Sequence, residues 1–364
     1  MKKSEMAGRV QSPLSLCSIA CSETLRELLR RSVIGDPAPV LLVGEEGAGK
    51  HFVAQRLAAA ILCDQPDPIS GACGECASCR LLRSGSHYDL IDLEPPKGKK
   101  MIAVASVREQ ISGTLHTYPQ VSRKRVYIIS AVKADTLNEQ GQNAILKPLE
   151  EHPDFIRFIL LTEDANRLLP TILSRSRMVQ LGRREEQDIR LILREMEFGE
   201  GETADLAVRY ADGIPGQALA IAGDATFRDL RRQAFKLFIC LPESTRTFCL
   251  TQGLSYLRDE KNRIATILRL FETFLRDLLL LKSGLSGTNL INGDLVSDLD
   301  AILKRVPNTD PARAAEIVQQ TGQALARNVN FDHSIGRMLI GMRAFLSAET
   351  VPQGVFLCLE DQAF

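Results

Sequence analysis

The sequence lacks an excess of charge of either sign. Its 364 residues include 45 lysines and arginines and 45 aspartates and glutamates, so the formal net charge is zero. This balance argues against a strongly cationic nucleic-acid-binding protein that acts alone, although it leaves room for basic patches within an assembly. With 45% hydrophobic and 25% charged residues, the composition is that of a globular chain with two or three cores, which excludes a disordered or fibrous protein.

Long hydrophobic runs are also missing. The longest, such as residues 40–43 and 158–161, fall far short of the roughly 18 apolar residues that a membrane-spanning helix needs. The N-terminal residues contain no long apolar core followed by a small-residue cleavage site, so we predict no secretory signal and a cytoplasmic location.

Short β-branched runs alternate with helical patterns in the first half of the chain, which is typical of a parallel sheet covered by helices. The predicted strands are residues 40–43, 89–93, 126–129, 156–161 and 178–181. After residue 181 amphipathic helices dominate. The sequence therefore predicts an α/β domain over 1–182, a small helical domain over 183–224 and an all-helical domain over 225–364.

A glycine-rich segment follows the first predicted strand. Residues 44–50 read Gly-Glu-Glu-Gly-Ala-Gly-Lys and open a predicted helix, the context in which backbone N–H groups and a helix N-terminus hold phosphate. The candidate phosphate-binding residues are Gly44, Gly47, Gly49 and Lys50. Where the pattern normally has Ser or Thr to bind the Mg²⁺ of a nucleotide, this chain has His51, a poor ligand for that ion. Glu45 and Glu46 add carboxylates that repel an anion.

The acidic residue that such a site needs at the end of a later strand is absent as well. The predicted strand 126–129 is followed by Ser130, and Asp135 comes too late. With both metal-holding elements missing, we predict no hydrolysis at this loop, and ATP or ADP binding is doubtful. The alternative is a strand-to-helix turn whose glycines serve backbone shape alone.

Four of the nine cysteines are close together in the sequence. Cys63 is followed by two consecutive C-x-x-C steps, at Cys73, Cys76 and Cys79. Four thiolates at this spacing predict a structural Zn²⁺ site with no open coordination position, and the alternatives are thiols without metal or a redox role. The other cysteines have no such spacing and are interpreted as small hydrophobic residues: Cys17, Cys21, Cys240, Cys249 and Cys358.

The order of these motifs resembles a known family. The glycine-rich loop, the four-cysteine insertion, Leu-Lys-Pro-Leu-Glu-Glu at 146–151 and Leu-Pro-Thr-Ile-Leu-Ser-Arg-Ser at 169–176 together resemble AAA+ clamp-loader subunits of bacterial DNA polymerase III. In this family tau/gamma subunits hydrolyse ATP and many delta-prime subunits carry eroded nucleotide sites, so the erosion favours the delta-prime type. The resemblance covers roughly residues 13–222, and the later helices agree only in type.

The resemblance implies an AAA+ RecA-like parallel sheet with a zinc-module insertion, a helical lid domain and an all-α collar that joins a hetero-oligomer. It implies a subunit that helps load a sliding clamp onto primed DNA with tau/gamma and delta partners. Arg175, in Ser-Arg-Ser, matches the arginine that the family supplies across a subunit boundary to the neighbour's ATP. The alternative is an arginine that pairs with a surface carboxylate, and Arg177 is a less favoured substitute.

Two further positions match the family's nucleotide contacts. Thr162 matches the polar residue that senses the γ-phosphate, and Gln217 stands where a basic lid residue is expected. The competing hypotheses are a tau/gamma-like ATPase with an atypical Mg²⁺ site and an AAA+-derived zinc interaction module outside replication. The first of these would make the chain an enzyme, whereas the delta-prime interpretation predicts no intrinsic ATPase.

Overall fold

The computed structural model describes residues 27–28, 30–31, 35–67, 71–95, 101–130, 136–285 and 290–347. Cys17, Cys21, Asp135 and Cys358 lie outside these ranges. Backbone contacts divide the chain into two compact units, Met1–Gly223 and Asp224–Phe364. No helix within the described ranges combines the length and apolar character that crossing a membrane requires.

Five parallel strands form the sheet of the first unit. They are β1 Val40–Val43, β2 Leu90–Leu93, β3 Arg125–Ser130, β4 Ile156–Thr162 and β5 Arg177–Gln180, and their spatial order is β2-β3-β4-β1-β5. The predicted α/β fold with a parallel sheet is confirmed. The order reverses beside β1, where Val43 pairs with Thr162. Ligands of open parallel sheets bind at the carboxyl ends of the strands at such a point.

Alternate side chains of the strands enter two cores, one on each face of the sheet. On one face Leu42 and Ile128 pack with Val53 of the first helix. On the other face Tyr127 stacks on Phe158, with ring centroids 5.2 Å apart. Burial on both faces explains why the strands read as nearly continuous apolar runs.

The helices of the first unit occupy the segments between and after the strands. They are α1 Lys50–Leu62, α2 Ala77–Arg83, α3 Val104–Val107 with the π-helical turn Arg108–Ser112, α4 Glu139–Glu150, α5 Pro170–Arg175, α6 Glu186–Glu195, α7 Glu202–Ala211 and α8 Pro215–Ala222. The last three pack on one another through a small apolar cluster that includes Ile189, Leu193 and Ala207. They follow the sheet, as the change of pattern after residue 181 predicts.

A buried ion pair fixes the loop that enters β3. Asp89, fully buried, accepts hydrogen bonds from the backbone N–H groups of Gln120, Val121 and Ser122 at 2.7–2.9 Å. Arg125 lies 3.5 Å from the same carboxylate and donates to the carbonyl of Thr114. Burial alone would raise the pKa of Asp89, but the three N–H donors outweigh it and the pKa is lowered.

The second unit is helical throughout its described residues. Its helices are α9 Phe227–Cys240, α10 Arg246–Phe248, the π-helical turn Cys249–Gly253, α11 Leu254–Asp259, α12 Ile264–Lys282, α13 Val296–Arg305, α14 Pro311–Ala326 and α15 Phe331–Leu346. Phe235 meets Phe274 edge to face with centroids 5.1 Å apart, and Phe238, Phe271 and Phe274 are fully buried. Aromatic packing therefore joins α9 to α12.

We predict that Asp89→Asn lowers the free energy of unfolding by about 2 kcal/mol at neutral pH, because charge-assisted hydrogen bonds are lost. A lowered pKa contributes stability above the ordinary pKa of the carboxyl group, and this contribution disappears as the pH falls through the folded-state value. The variant should therefore lose less stability in acid than the original chain. Urea unfolding across an acid pH series measures both effects. Exposed Glu151→Gln is the control, and an equal acid response of all three proteins would contradict this.

Candidate functional site

The glycine-rich loop joins β1 to α1, as the sequence predicts. The N–H of Gly44 donates to the carbonyl of Thr162 at 3.1 Å, which ties the loop to the end of β4. Gly47 and Gly49 have φ values of 85° and 87°, the left-handed region that glycine enters without a steric penalty. Three of the predicted residues thus lie in one loop at the carboxyl edge of the sheet, and Lys50 is the first residue of the helix that follows.

Lys50 is directed into its own loop. Its ammonium group donates to the carbonyl oxygens of Gly44 at 2.7 Å and Glu45 at 2.8 Å, and the residue is 5% exposed. Burial lowers the pKa of Lys50, opposed by the nearby carboxylates of Glu163 and Glu46. A phosphate would have to compete with two backbone carbonyls for this amine.

The start of α8 lies directly on the loop. The N–H of Gly216 donates to the carbonyl of Gly47 at 2.9 Å. A Cβ at Gly216 would stand 2.8 Å from the Cα of Gly47, and a Cβ at Gly47 would stand 2.9 Å from Cγ2 of Ile214. The outer side of the loop is therefore in contact with protein backbone.

The neighbouring positions also make internal contacts. Thr162 donates through its hydroxyl to the carbonyl of Asp164 at 3.0 Å. The Arg183 guanidinium lies 3.3 Å from the carboxylate of Glu45. Strand β3 ends at buried Ser130, and the segment 131–135 that follows is outside the described residues.

The predicted cysteines come together at one point. Sγ of Cys63 lies 4.0 Å from Sγ of Cys76, Sγ of Cys73 lies 3.9 Å from Sγ of Cys79, and all four lie within 4.8 Å of one another. A zinc ion with Zn–S bonds of about 2.3 Å holds tetrahedral sulfurs about 3.8 Å apart. These four thiols fit that spacing.

Backbone N–H groups point at the sulfurs. The N–H of Cys73 donates to Cys63 Sγ at 3.3 Å, and the N–H of Cys79 donates to Cys76 Sγ at 3.4 Å. Burial raises the pKa values of the Cys63 and Cys79 thiols, while the backbone N–H of Glu75 lowers the pKa of Cys73 to about 7. A cation at the centre of the cluster would favour the thiolate form of all four.

A buried polar network fastens the cysteine cluster to the sheet. Ser78, between two of the cysteines, lies 2.7 Å from Nε2 of His87, and Ser122 lies 3.1 Å from the same nitrogen. The N–H of Asp89 donates to Nδ1 of His87, so Nε2 carries the proton in the neutral ring. Burial lowers the pKa of His87 and favours that neutral form.

Arg175 is the last residue of α5. Its guanidinium pairs with the carboxylate of Glu150 at 2.8 Å and donates to the carbonyl of Thr171 at 3.1 Å, and the side chain is 38% exposed. The surface carboxylate that the sequence leaves open as an alternative partner is thus Glu150. Arg177 lies on β5 and pairs with Asp36 at 2.6 Å.

Helix α4 holds α5 at both ends. At the other end from Glu150, buried Gln142 accepts a hydrogen bond from the N–H of Leu169 at 2.8 Å and donates to the carbonyl of Arg167. Leu169 is the residue directly before α5, and Ile172 anchors the helix in the core. The position of Arg175 therefore depends on Gln142 and Glu150.

Sequence reasoning missed the partners of the predicted residues. Glu150 lies inside the 146–151 motif, so a pairing partner for Arg175 could have been sought there. Gly216 directly precedes Gln217, and no local signal in the sequence points to its contact with Gly47. Gln142 carries no signal beyond its place on a predicted helix.

Comparison with known proteins finds matches for part of the first unit. Residues 23–185 match the family model described as DNA polymerase III, delta subunit. The DNA polymerase III subunit delta' of Pseudomonas aeruginosa is 39% identical over 135 residues, which are 37% of this chain and 40% of the relative. This region is similar to subunits of DNA polymerase III. The prediction from the ordered motifs is confirmed for this part of the chain.

Two further relatives each match half of the chain or less. The delta-prime subunit of Escherichia coli is 33% identical over 50% of this chain and 53% of the relative. The tau/gamma subunit of Haemophilus influenzae is 34% identical over 41% of this chain and 21% of the relative. The chain therefore spans about half or less of the delta-prime and tau/gamma proteins it matches. A solved gamma-subunit-related protein from Thermotoga maritima aligns with 88% of this chain and 99% of its own, at 19% identity and a TM-score of 0.47.

We predict that Gly216→Ala lowers the free energy of unfolding by about 2 kcal/mol, although alanine is the better helix former, because the added methyl group meets the backbone of Gly47. Gly322→Ala is the matched control, since Gly322 also lies in a helix but its Cβ would stand 3.8 Å from the nearest atom, Cδ1 of Leu268. This control should be neutral or stabilising by up to about 1 kcal/mol. Urea unfolding, with each transition fitted separately, measures both, and equal effects would argue against the contact.

We predict that the chain, after gel filtration in metal-free buffer, retains one equivalent of zinc and that Cys76→Ser reduces this below half an equivalent. The exposed Cys240→Ser is the control and should retain the metal. Because the ligands bind as thiolates, zinc should be released as the pH falls. Elemental analysis of dialysed protein measures the content, and full zinc in Cys76→Ser would refute the four-thiol site.

Proposed function

We propose that the chain is a delta-prime-like subunit of the DNA polymerase III clamp loader that does not hydrolyse ATP and that supplies Arg175 to ATP held by the neighbouring subunit. In this role it acts in the cytoplasm with tau/gamma and delta subunits to place a sliding clamp on primed DNA. One difference between two basic residues supports the proposal. Lys50 of the glycine-rich loop is buried against its own backbone carbonyls, whereas Arg175 at the end of α5 is exposed.

The loop is poorly suited to a triphosphate. Lys50 would have to leave the carbonyls of Gly44 and Glu45, and the start of α8 would have to move from Gly47. The carboxylates of Glu46 and Glu163 act on the same lysine and would repel phosphate. His51 replaces the hydroxyl that normally binds Mg²⁺. These features together favour a subunit without its own turnover.

Arg175 suits a role in a neighbour's site. A guanidinium is always charged and can meet two phosphate oxygens at once. Its pair with Glu150 is exposed on both sides, and such pairs contribute little stability, so a triphosphate can replace the carboxylate at small cost. The packing of α5 against α4 holds the arginine near the helix end while its tip remains accessible.

The four cysteines would hold Zn²⁺ in a structural role. A closed four-thiolate shell leaves no position for water or substrate, so the metal supplies folding energy to the insertion and no chemistry. Ser78 and His87 transmit the position of this insertion to the sheet.

The second candidate is a tau/gamma-like ATPase. It is favoured by the 34% identity to a tau/gamma subunit, a name that includes the hydrolysing members of the resembled family. It requires Lys50 to swing outward and a Mg²⁺ ligand other than His51. Mg²⁺-dependent ATP turnover by the isolated chain, compared with His51→Thr, separates the two candidates: vigorous turnover by the original chain favours the ATPase.

We predict that Arg175→Ala lowers the DNA-stimulated ATPase of the reconstituted assembly, because an arginine of this kind accelerates the one site it serves by about 10³- to 10⁵-fold. The assembly should lose that site's share of turnover and keep the rest. Arg177→Ala, which removes the neighbouring arginine held by Asp36, is the matched control and should leave the rate unchanged. Equal activity of Arg175→Ala and the original assembly would end the proposal.

A further inference from the structure

A second group of side chains that could bind a metal lies beside the glycine-rich loop. His51, in the first turn of α1, approaches the end of β2: its Nε2 is 3.2 Å from Asp92 Oδ2 and its Nδ1 is 3.7 Å from Glu94 Oε1. One ligand atom from each of the three residues can be chosen so that all lie within 4.8 Å of one another. The group is separate from the four cysteines, which meet elsewhere in the same unit.

The two carboxylates of the group favour the binding of a cation. Among the residues that the structure describes, neither Asp92 nor Glu94 pairs with a lysine or arginine; both approach His51, whose Nε2 also lies 2.9 Å from Nε2 of Gln55. The adjacent Lys50 is directed to Gly44 and Glu45 instead. As ligands, two carboxylates and an imidazole nitrogen supply two negative charges, which one divalent ion would neutralise.

The ligand types select the kind of ion. Mg²⁺ and Ca²⁺ prefer shells made of oxygen, whereas an imidazole nitrogen suits Zn²⁺, Co²⁺ and Ni²⁺. Bonds of about 2.0–2.2 Å to nitrogen and oxygen place tetrahedral ligand atoms about 3.4 Å apart, close to the 3.2 Å between His51 and Asp92. Glu94 has a half-exposed side chain and can turn to complete the set.

We propose that His51, Asp92 and Glu94 form a second metal site, which takes a divalent first-row transition ion such as Zn²⁺ and leaves at least one coordination position to water. The ion bridges the start of α1, directly after Lys50, and the end of β2. It thereby links the glycine-rich loop to the edge strand of the sheet. This site stands independently of the clamp-loader role.

The test uses Zn²⁺ alone and the untagged full chain already loaded at its cysteines. Equilibrium dialysis against buffered Zn²⁺, followed by elemental analysis, should give a second equivalent for the original chain. His51→Ala should abolish it because the nitrogen ligand is removed, and Glu94→Gln should weaken it by about tenfold or more because a neutral amide oxygen replaces the carboxylate. His116→Ala removes an exposed histidine of the same unit and should keep the second equivalent.

Two further measurements separate this site from the cysteines and from misfolding. Co²⁺ added to the zinc-loaded chain should bind without the intense sulfur-to-cobalt absorption that thiolate ligands produce, which shows nitrogen and oxygen ligation. Glu94 is exposed at a strand end, so Glu94→Gln should fold with unchanged circular dichroism even if His51→Ala does not. A single equivalent in the original chain, or an undiminished second equivalent in Glu94→Gln and His51→Ala, would overturn the proposal, because His51 would then be only an ion-pair partner.

Discussion

The hydrogen bonds of the Lys50 ammonium group are the constraint on which the functional interpretation depends. A buried ammonium needs acceptors, and here the loop supplies them from its own backbone at Gly44 and Glu45. With its charge already solvated by carbonyls, the loop needs no anion to satisfy its lysine. The glycines allow the close approach of α8 to the loop.

Much of the first unit could be predicted from local sequence patterns. The five strands could be predicted because burial on both faces makes them short apolar runs. No strand end differs from its predicted position by more than one residue: β2 begins after Asp89, and β4 includes Thr162. The cysteine cluster could be predicted because two C-x-x-C turns are a local geometric device. Residues 104–112 form an α-helical turn that continues as a π-helical turn and ends at Ser112, a change that periodicity alone does not reveal.

Contacts between segments that are distant in the sequence could not be predicted from local patterns. Gly216 and Gly47 meet only because the sheet brings the turn before α8 to the carboxyl end of β1, and no spacing rule links them. The same holds for His51 with Asp92 and for Arg175 with Glu150, since each pair joins a helix end to another element. The sequence identified which residues carry chemistry, and the fold decided what each of them faces. Helix α4 illustrates this, since Gln142 and Glu150 at its two ends set where α5 lies.

The approach of Gly47 to Gly216 has a consequence for how such a chain can change over time. A Cβ added at Gly216 would stand 2.8 Å from the Cα of Gly47, so the main chain of Gly47 occupies the space that a side chain at Gly216 would need. A larger residue at either position is tolerated only if the second segment retreats, so neither position can drift by itself. Among homologues that keep this contact, the two sites should covary: both remain glycine, or both change together with the angle at which the helix meets the loop.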